Sequence, residues 1–189
     1  MISFANRLTI VAEPGTVFAY LAEPAHLPDW NHYVEQVTPL DDSEPRPGSR
    51  YHQRRRNDQQ VFEIAELQPP TFLVLRTLPD QRPAFTRTIT LTPLLAGGTD
   101  LVDHWQLDTG QPPLVQQLGR STIRSAVRDN LGKLAELLET GTTTLQNGRV
   151  STRADLAETV IAQTDLDVQV IDGMAKPVPG AMPTSRQRA

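Results

Sequence analysis

The chain has no cysteine. That excludes disulfides, thiolate nucleophiles and cysteine-ligated metals together, and it suits a reducing compartment. No hydrophobic run approaches the roughly 18 residues that a membrane-crossing helix needs. The opening MISFANRLTIVAE is a poor secretory signal, because it lacks a basic start and Asn6 and Arg7 interrupt its apolar stretch. A basic surplus is missing as well. With 18 Lys and Arg against 22 Asp and Glu, the formal net charge is −4, so no overall field draws the protein onto nucleic acid. There is no P-loop, no dinucleotide fingerprint and no Gly-x-Ser-x-Gly elbow. The histidines, His26, His32, His52 and His104, offer no helical i, i+4 zinc pair. These absences lead to the expectation of a cytoplasmic protein with no metal or cofactor, no nucleic-acid partner and no stable membrane insertion.

What remains is enough chain for one ordinary domain and a tail. The 189 residues are 38% hydrophobic and 21% charged, as when a polar tail dilutes a real core. SFANRLTIVA alternates, with Phe4, Leu8 and Ile10 on one side, and reads as a strand. EPGTVFAYLAEP then has helical spacing, with Val17, Phe18 and Leu21 on one face. It stops at Pro24, and AHLPDW allows at most one further turn before Pro28 and Trp30. HYVEQVTPL alternates again, Tyr33, Glu35 and Val37 against His32, Val34 and Gln36. A meander follows: SRYHQRRR, VFEIAEL, TFLVLRTL, AFTRTITLTPL and TDLVDHWQLD, separated by turns such as RPGS, NDQQ and LAGGTD. Short strands with no helices between them predict an antiparallel sheet. From Pro112-Pro113 to Gly141 the period becomes helical, with Val127, Leu131, Leu134 and Leu138 on one face, extended backward by Ile123, Leu118 and Leu114. Beyond Gly141, TTTLQNGRVST carries an Asn-Gly hairpin signal, TRADLAETVIAQ reads as a short helix and LDVQVID as an edge strand. The proline-rich MAKPVPGAMPTSRQRA reads as a disordered tail. The expected division is a domain over 1–141, an extension over 142–173 and a tail over 174–189.

The order strand, broken short helices, meander and long helix resembles the polyketide cyclase/dehydrase and lipid-transport family of the START-like, Bet v 1-like (SRPBCC) superfamily. The resemblance is carried by AEPGTVFAYLAEPAHLPDWNHYVEQV, RPGSRY, FEIAELQPPTFLVLR, LLAGGTDLVDHWQLD and NLGKLAELLETG, over roughly residues 2–140. It implies an α+β helix-grip fold: a curved antiparallel sheet wraps around the long C-terminal helix, two short helices sit between the first two strands, and a pocket lies between sheet and helix. The twice-broken helical stretch then closes one end of the pocket without filling it.

Strand parity suggests what lines such a pocket. In the last strand Leu101, Asp103, Trp105 and Leu107 share a face, and in its hairpin partner Phe85, Arg87, Ile89 and Leu91 share one. The apolar bulk of both sets turns them toward the helix and leaves Thr86, Thr88, Thr90 and Thr92 outside. Arg87 and Asp103 then lie diagonally across the ladder, either as a ligand-orienting pair or as a rim ion pair reaching water. Trp30 either lines the pocket or closes the core beside the short helices. On the SRYHQRRR strand, one phase turns Tyr51, Gln53 and Arg55 inward and the other turns His52, Arg54 and Arg56 inward. The expected ligand-binding set is Trp30, Tyr51, Phe85, Arg87, Ile89, Leu101, Asp103 and Trp105. The expected partner is a hydrophobic small molecule such as a lipid, isoprenoid or polyketide. A cyclase, aromatase or dehydratase is the alternative, with Arg87, Asp103 and Tyr51 as catalytic candidates. A further alternative is an interaction protein or homodimer acting through the extension.

Overall fold

The computed structural model describes residues 1–153 other than 42 and 80. The expected short helix, edge strand and tail beyond 153 lie outside the described residues. Along the chain run β1 (Ile2–Ile10), α1 (Pro14–Ala22), a 3-10 turn (Pro24–His26), α2 (Leu27–Trp30), β2 (Val34–Pro39), β3 (Arg50–Arg55), β4 (Gln59–Gln68), β5 (Phe72–Thr77), β6 (Ala84–Pro93), β7 (Thr99–Asp108), α3 (Pro113–Thr140), β8 (Thr142–Thr144) and β9 (Val150–Thr152). The first seven strands make one antiparallel sheet in the order β1-β7-β6-β5-β4-β3-β2. Its two edge strands, β1 and β2, are consecutive in the chain and are joined by the short helices. This is the α+β helix-grip arrangement.

The double interruption between β1 and β2 is written in prolines. A residue before proline is steered out of the helical region, and Glu23, before Pro24, has φ −100° and ψ 96°. Its carboxylate accepts from the Ala25 amide at 3.2 Å and starts the 3-10 turn. Pro28 opens the single turn of α2, and Trp30 ends it buried. α1 buries Val17, Phe18 and Leu21 against the sheet.

The strict alternation expected through β2 does not hold. Val34 and Val37 are the buried residues, and the register shifts between Val34 and Gln36. A bulge inserts one residue and resets the parity, so Tyr33 is half exposed at 52%. A second irregularity lies between Ile64 and Glu66 in β4.

The β6–β7 turn needs a glycine at one position for two reasons. Gly98 has φ +88°, and a Cβ there would lie 2.6 Å from the Ile10 carbonyl oxygen. Its neighbour Gly97, at φ +89°, has open space. Gly98→Ala is expected to lower the unfolding free energy by about 2–3 kcal/mol, and Gly97→Ala, which meets only the backbone strain, by about 1 kcal/mol. Urea unfolding of both variants checks this, and equal losses would mean that β1 gives way freely.

α3 starts at Pro112-Pro113 and stops at Gly141, whose φ of +81° is left-handed and whose amide donates to the Leu137 carbonyl. Leu131, Leu134, Leu137 and Leu138 are buried in one cluster with Ile10, Phe62, Leu73, Ile89 and Leu101. The expected backward extension of this stripe is corrected at Leu114 and Leu118, which are 74% and 75% exposed. At 3.6 residues per turn, the five-residue step from Leu118 to Ile123 carries the stripe about half a turn around, so only Ile123 and Val127 continue toward the sheet. The Asn-Gly hairpin is present as β8 and β9, with Gly148 at φ +83°. It buries Leu145, and Arg153 donates to the Gly141 carbonyl. The compact unit runs from Met1 to Arg153, so this hairpin is part of it.

Candidate functional site

α3 packs densely on the sheet through Leu131, Leu134, Leu137 and Leu138, and nearer its N-terminus Ile123 and Val127 pack against Ile2, Phe4 and Leu107. Residues 122–130 also border a cavity of about 380 Å³. Trp30, Phe62, Phe85, Trp105, Leu107 and Val127 supply most of the apolar wall. Asn31, Gln53, Arg55, Gln60, Arg87 and Asn130 supply the principal polar groups.

β6 and β7 place Arg87 opposite Trp105, and Ile89 opposite Asp103. Arg87 and Asp103 are therefore diagonal neighbours. Both are buried, at 4% and 0% exposure. Arg87 donates through Nε at 2.8 Å and Nη2 at 3.1 Å to the two carboxylate oxygens of Asp103. Trp105 Nε1 donates to the same carboxylate at 2.8 Å. The guanidinium carbon lies 5.3 Å from the Trp30 ring centre and 5.1 Å from that of Trp105. A planar cation between two indoles is held by their faces as well as by its counter-ion. Aromatic contact continues from Trp105 to Phe85 (5.3 Å between centroids) and from Phe85 to Phe62 (6.2 Å).

Gln53 and Gln60 face each other across β3 and β4, and Gln60 Nε2 donates to Gln53 Oε1 at 3.0 Å. Gln60 Oε1 is buried without a partner, and so is Arg55 Nε. Asp58 lies 3.2 Å from that nitrogen. Burial pulls the Arg55 guanidinium below its ordinary pKa, against the opposing pull of Asp58. At the α2 end, Asn130 donates to Asn31 at 3.0 Å, and its carbonyl lies 3.2 Å from His32 Nδ1. The β8–β9 hairpin reaches the same corner: Gln146 donates to Asn130, and Arg149 to the Pro28 carbonyl.

Of the sequence-derived set, Trp30, Phe85, Arg87 and Trp105 are on the cavity wall, and Asp103 stands behind Arg87. Tyr51, Ile89 and Leu101 are corrected to the packed core, at 2%, 1% and 0% exposure. Parity gives the face of a strand but not the position along it. Ile89 and Leu101 lie toward the end covered by the leucines of α3. Tyr51 does turn inward, in phase with Gln53 and Arg55, but packs on Phe62 at 5.6 Å. Its phenol is pushed up to about 12, first by burial and then by the charges of Glu23 and Asp41.

Gln60 and Asn130 were not singled out from the sequence, although each leaves a signal. Gln60 sits in phase with Phe62 and Ile64 on the inward face of β4, and Asn130 interrupts the apolar stripe between Val127 and Leu131. Among the described residues no group of three or more His, Asp or Glu side chains is placed to hold a metal ion. No described helix is long and apolar enough to cross a membrane.

A curved sheet gripping a helix, with a hollow left on one side, defines a helix-grip pocket protein. The chain belongs to the family described as polyketide cyclase / dehydrase and lipid transport, whose pattern it matches over residues 1–139. Among solved structures it resembles a protein from Deinococcus radiodurans, with 18% identity, 74% of this chain and 99% of that one covered, and a TM-score of 0.55. The Aha1 dimer from Colwellia psychrerythraea gives 16% identity, 75% and 98% coverage and a TM-score of 0.56. The di-domain ARO/CYC BexL of the BE-7585A biosynthetic pathway gives 14% identity, 72% and 46% coverage and a TM-score of 0.58. At these identities the likeness is one of fold. No curated protein matches the chain significantly.

Proposed function

We propose that the protein binds a hydrophobic small molecule, of the lipid, isoprenoid or polyketide type, in the cavity between sheet and α3. The observation that carries this reading is the hollow itself: about 380 Å³, walled largely by aromatic and aliphatic side chains, with a few polar groups among them. Small-molecule sites commonly have this make-up and volumes of about 300–1,000 Å³. Native mass spectrometry of the protein purified from cells is expected to show a retained hydrophobic ligand. Ala126→Trp, which fills the cavity from the helix side, is expected to lose it. A wild-type protein that carries no ligand and takes up none from a panel of hydrophobic compounds overturns the reading.

A cyclase or dehydratase is the second reading, favoured by the two guanidinium groups on a mainly apolar wall. Arg87 is placed to stabilise an enolate oxygen. The other two catalytic candidates are less well placed. Both oxygens of Asp103 are occupied by N–H donors, and Tyr51 is off the wall with a phenol that stays protonated until about pH 12. Binding therefore ranks above catalysis. The interaction role expected of the extension over 142–173 lies mostly outside the described residues, which end at 153.

A further inference from the structure

We propose that the cavity takes uncharged hydrophobic molecules and excludes their anionic counterparts, so that an ester, amide, ketone or alcohol fits where a free carboxylic acid or a phosphorylated lipid does not. This rests on the ligand-binding reading above and narrows it to a chemical class.

The charges around the wall lead there. Among the described residues that line the cavity, Arg55 and Arg87 are the only Asp, Glu, Lys, Arg or His side chains, and each already has a carboxylate partner. Arg87 gives two N–H bonds to Asp103, which is fully buried behind it. Arg55 is paired with Asp58 at 3.2 Å. The charges of these two pairs sum to zero. An anion in the cavity is drawn by each guanidinium and repelled by the carboxylate beside it, so the net pull is small.

The neutral polar groups do not make up the difference. Gln60 Nε2 donates to Gln53 Oε1, and Asn130 Nδ2 to Asn31 Oδ1, both at 3.0 Å. Asn130 Oδ1 also faces His32 Nδ1 at 3.2 Å. These amides are largely spent on one another or on neighbours outside the wall. The hydroxyl-bearing residues of the wall, Tyr33, Thr109 and Thr122, are half-buried or exposed, so a neutral polar group of the ligand finds its partners toward solvent. A carboxylate moved from water to this wall loses its hydration and gains no counter-ion, which makes its burial costly. An uncharged molecule of the same shape avoids that cost and keeps the apolar burial against Trp30, Phe62, Phe85 and Trp105.

Equilibrium dialysis at pH 7 against 2-naphthamide, methyl 2-naphthoate and 2-naphthoate tests this. The amide and the acid have nearly the same shape, and only the acid is ionised at that pH. Both neutral compounds are expected to bind about tenfold or more tighter than the carboxylate. Asp58→Asn removes the counter-charge of Arg55 at a side chain 43% exposed. It is expected to raise naphthoate affinity about threefold or more and to leave naphthamide affinity within about twofold. Carboxylate affinity equal to or above that of the amide in the wild type, a comparison that needs no variant, overturns the inference and leaves the ligand-binding reading standing. An unchanged ratio of amide to carboxylate in Asp58→Asn overturns the balance of charges as its cause. If none of the three probes binds, the ligand-binding reading falls together with this one.

Discussion

Asp103→Ala is expected to destabilise the protein by about 3–5 kcal/mol, the usual result of stripping one partner from a buried ion pair. Asp103 has no exposed surface and takes three N–H bonds, two from Arg87 and one from Trp105. Without it the Arg87 cation keeps its 4% exposure and loses its counter-ion. The indole faces of Trp30 and Trp105 compensate in part, since a desolvated cation–π contact is worth about 2 kcal/mol. That is too little to replace a bidentate carboxylate. Removing both charges behaves differently, because the desolvation of two ions disappears along with their attraction. Arg87→Met/Asp103→Leu is therefore expected within about 1 kcal/mol of the wild type, or above it. Urea unfolding of the two singles and the double gives the coupling by a double-mutant cycle. A loss under about 1 kcal/mol for Asp103→Ala would mean that water reaches the pair.

Leu134→Ala and Val127→Ala, seven residues apart on one face of α3, are expected to differ severalfold in cost. Leu134 is fully buried in the cluster with the sheet. Truncating it removes apolar contacts and leaves a void, at about 2–5 kcal/mol. Val127 is partly buried and borders the existing cavity. It also packs against the edges of both buried clusters, but shortening it only enlarges a space already there, at about 1 kcal/mol. Denaturant midpoints at a common m-value measure the difference. Equal costs would show that the helix packs uniformly in solution and that the hollow has closed.

These two predictions mark the boundary of what could be read from the residues. Prolines 14, 24, 28, 112 and 113 and glycines 97, 98 and 141 punctuate the chain, and the elements begin and end where they stand. Inward faces were legible wherever a strand was regular, as in β6 and β7. Bulges defeat that logic, because one inserted residue between Val34 and Gln36 reverses every later parity in β2. Position along a strand was also hidden: Ile89 and Arg87 share a face, yet one meets helix leucines and the other meets a cavity. That distinction depends on how closely α3 approaches the sheet, which no local pattern encodes. The offset of Leu114 and Leu118 was legible in principle, because counting from Leu118 to Ile123 gives a step that no single helical stripe accommodates.

The strand order has a consequence for how the protein is made. β1 pairs with β7, so Ile2 must wait for Leu107, about a hundred residues later. At ribosomal speeds of about 5–20 residues per second, the first strand spends roughly 5–20 s in the nascent chain with Ile2, Phe4 and Ile10 unburied and its backbone unpaired. Through that interval the strand has no sheet partner of its own, and the grip around the helix can close only after nearly the whole domain has left the ribosome.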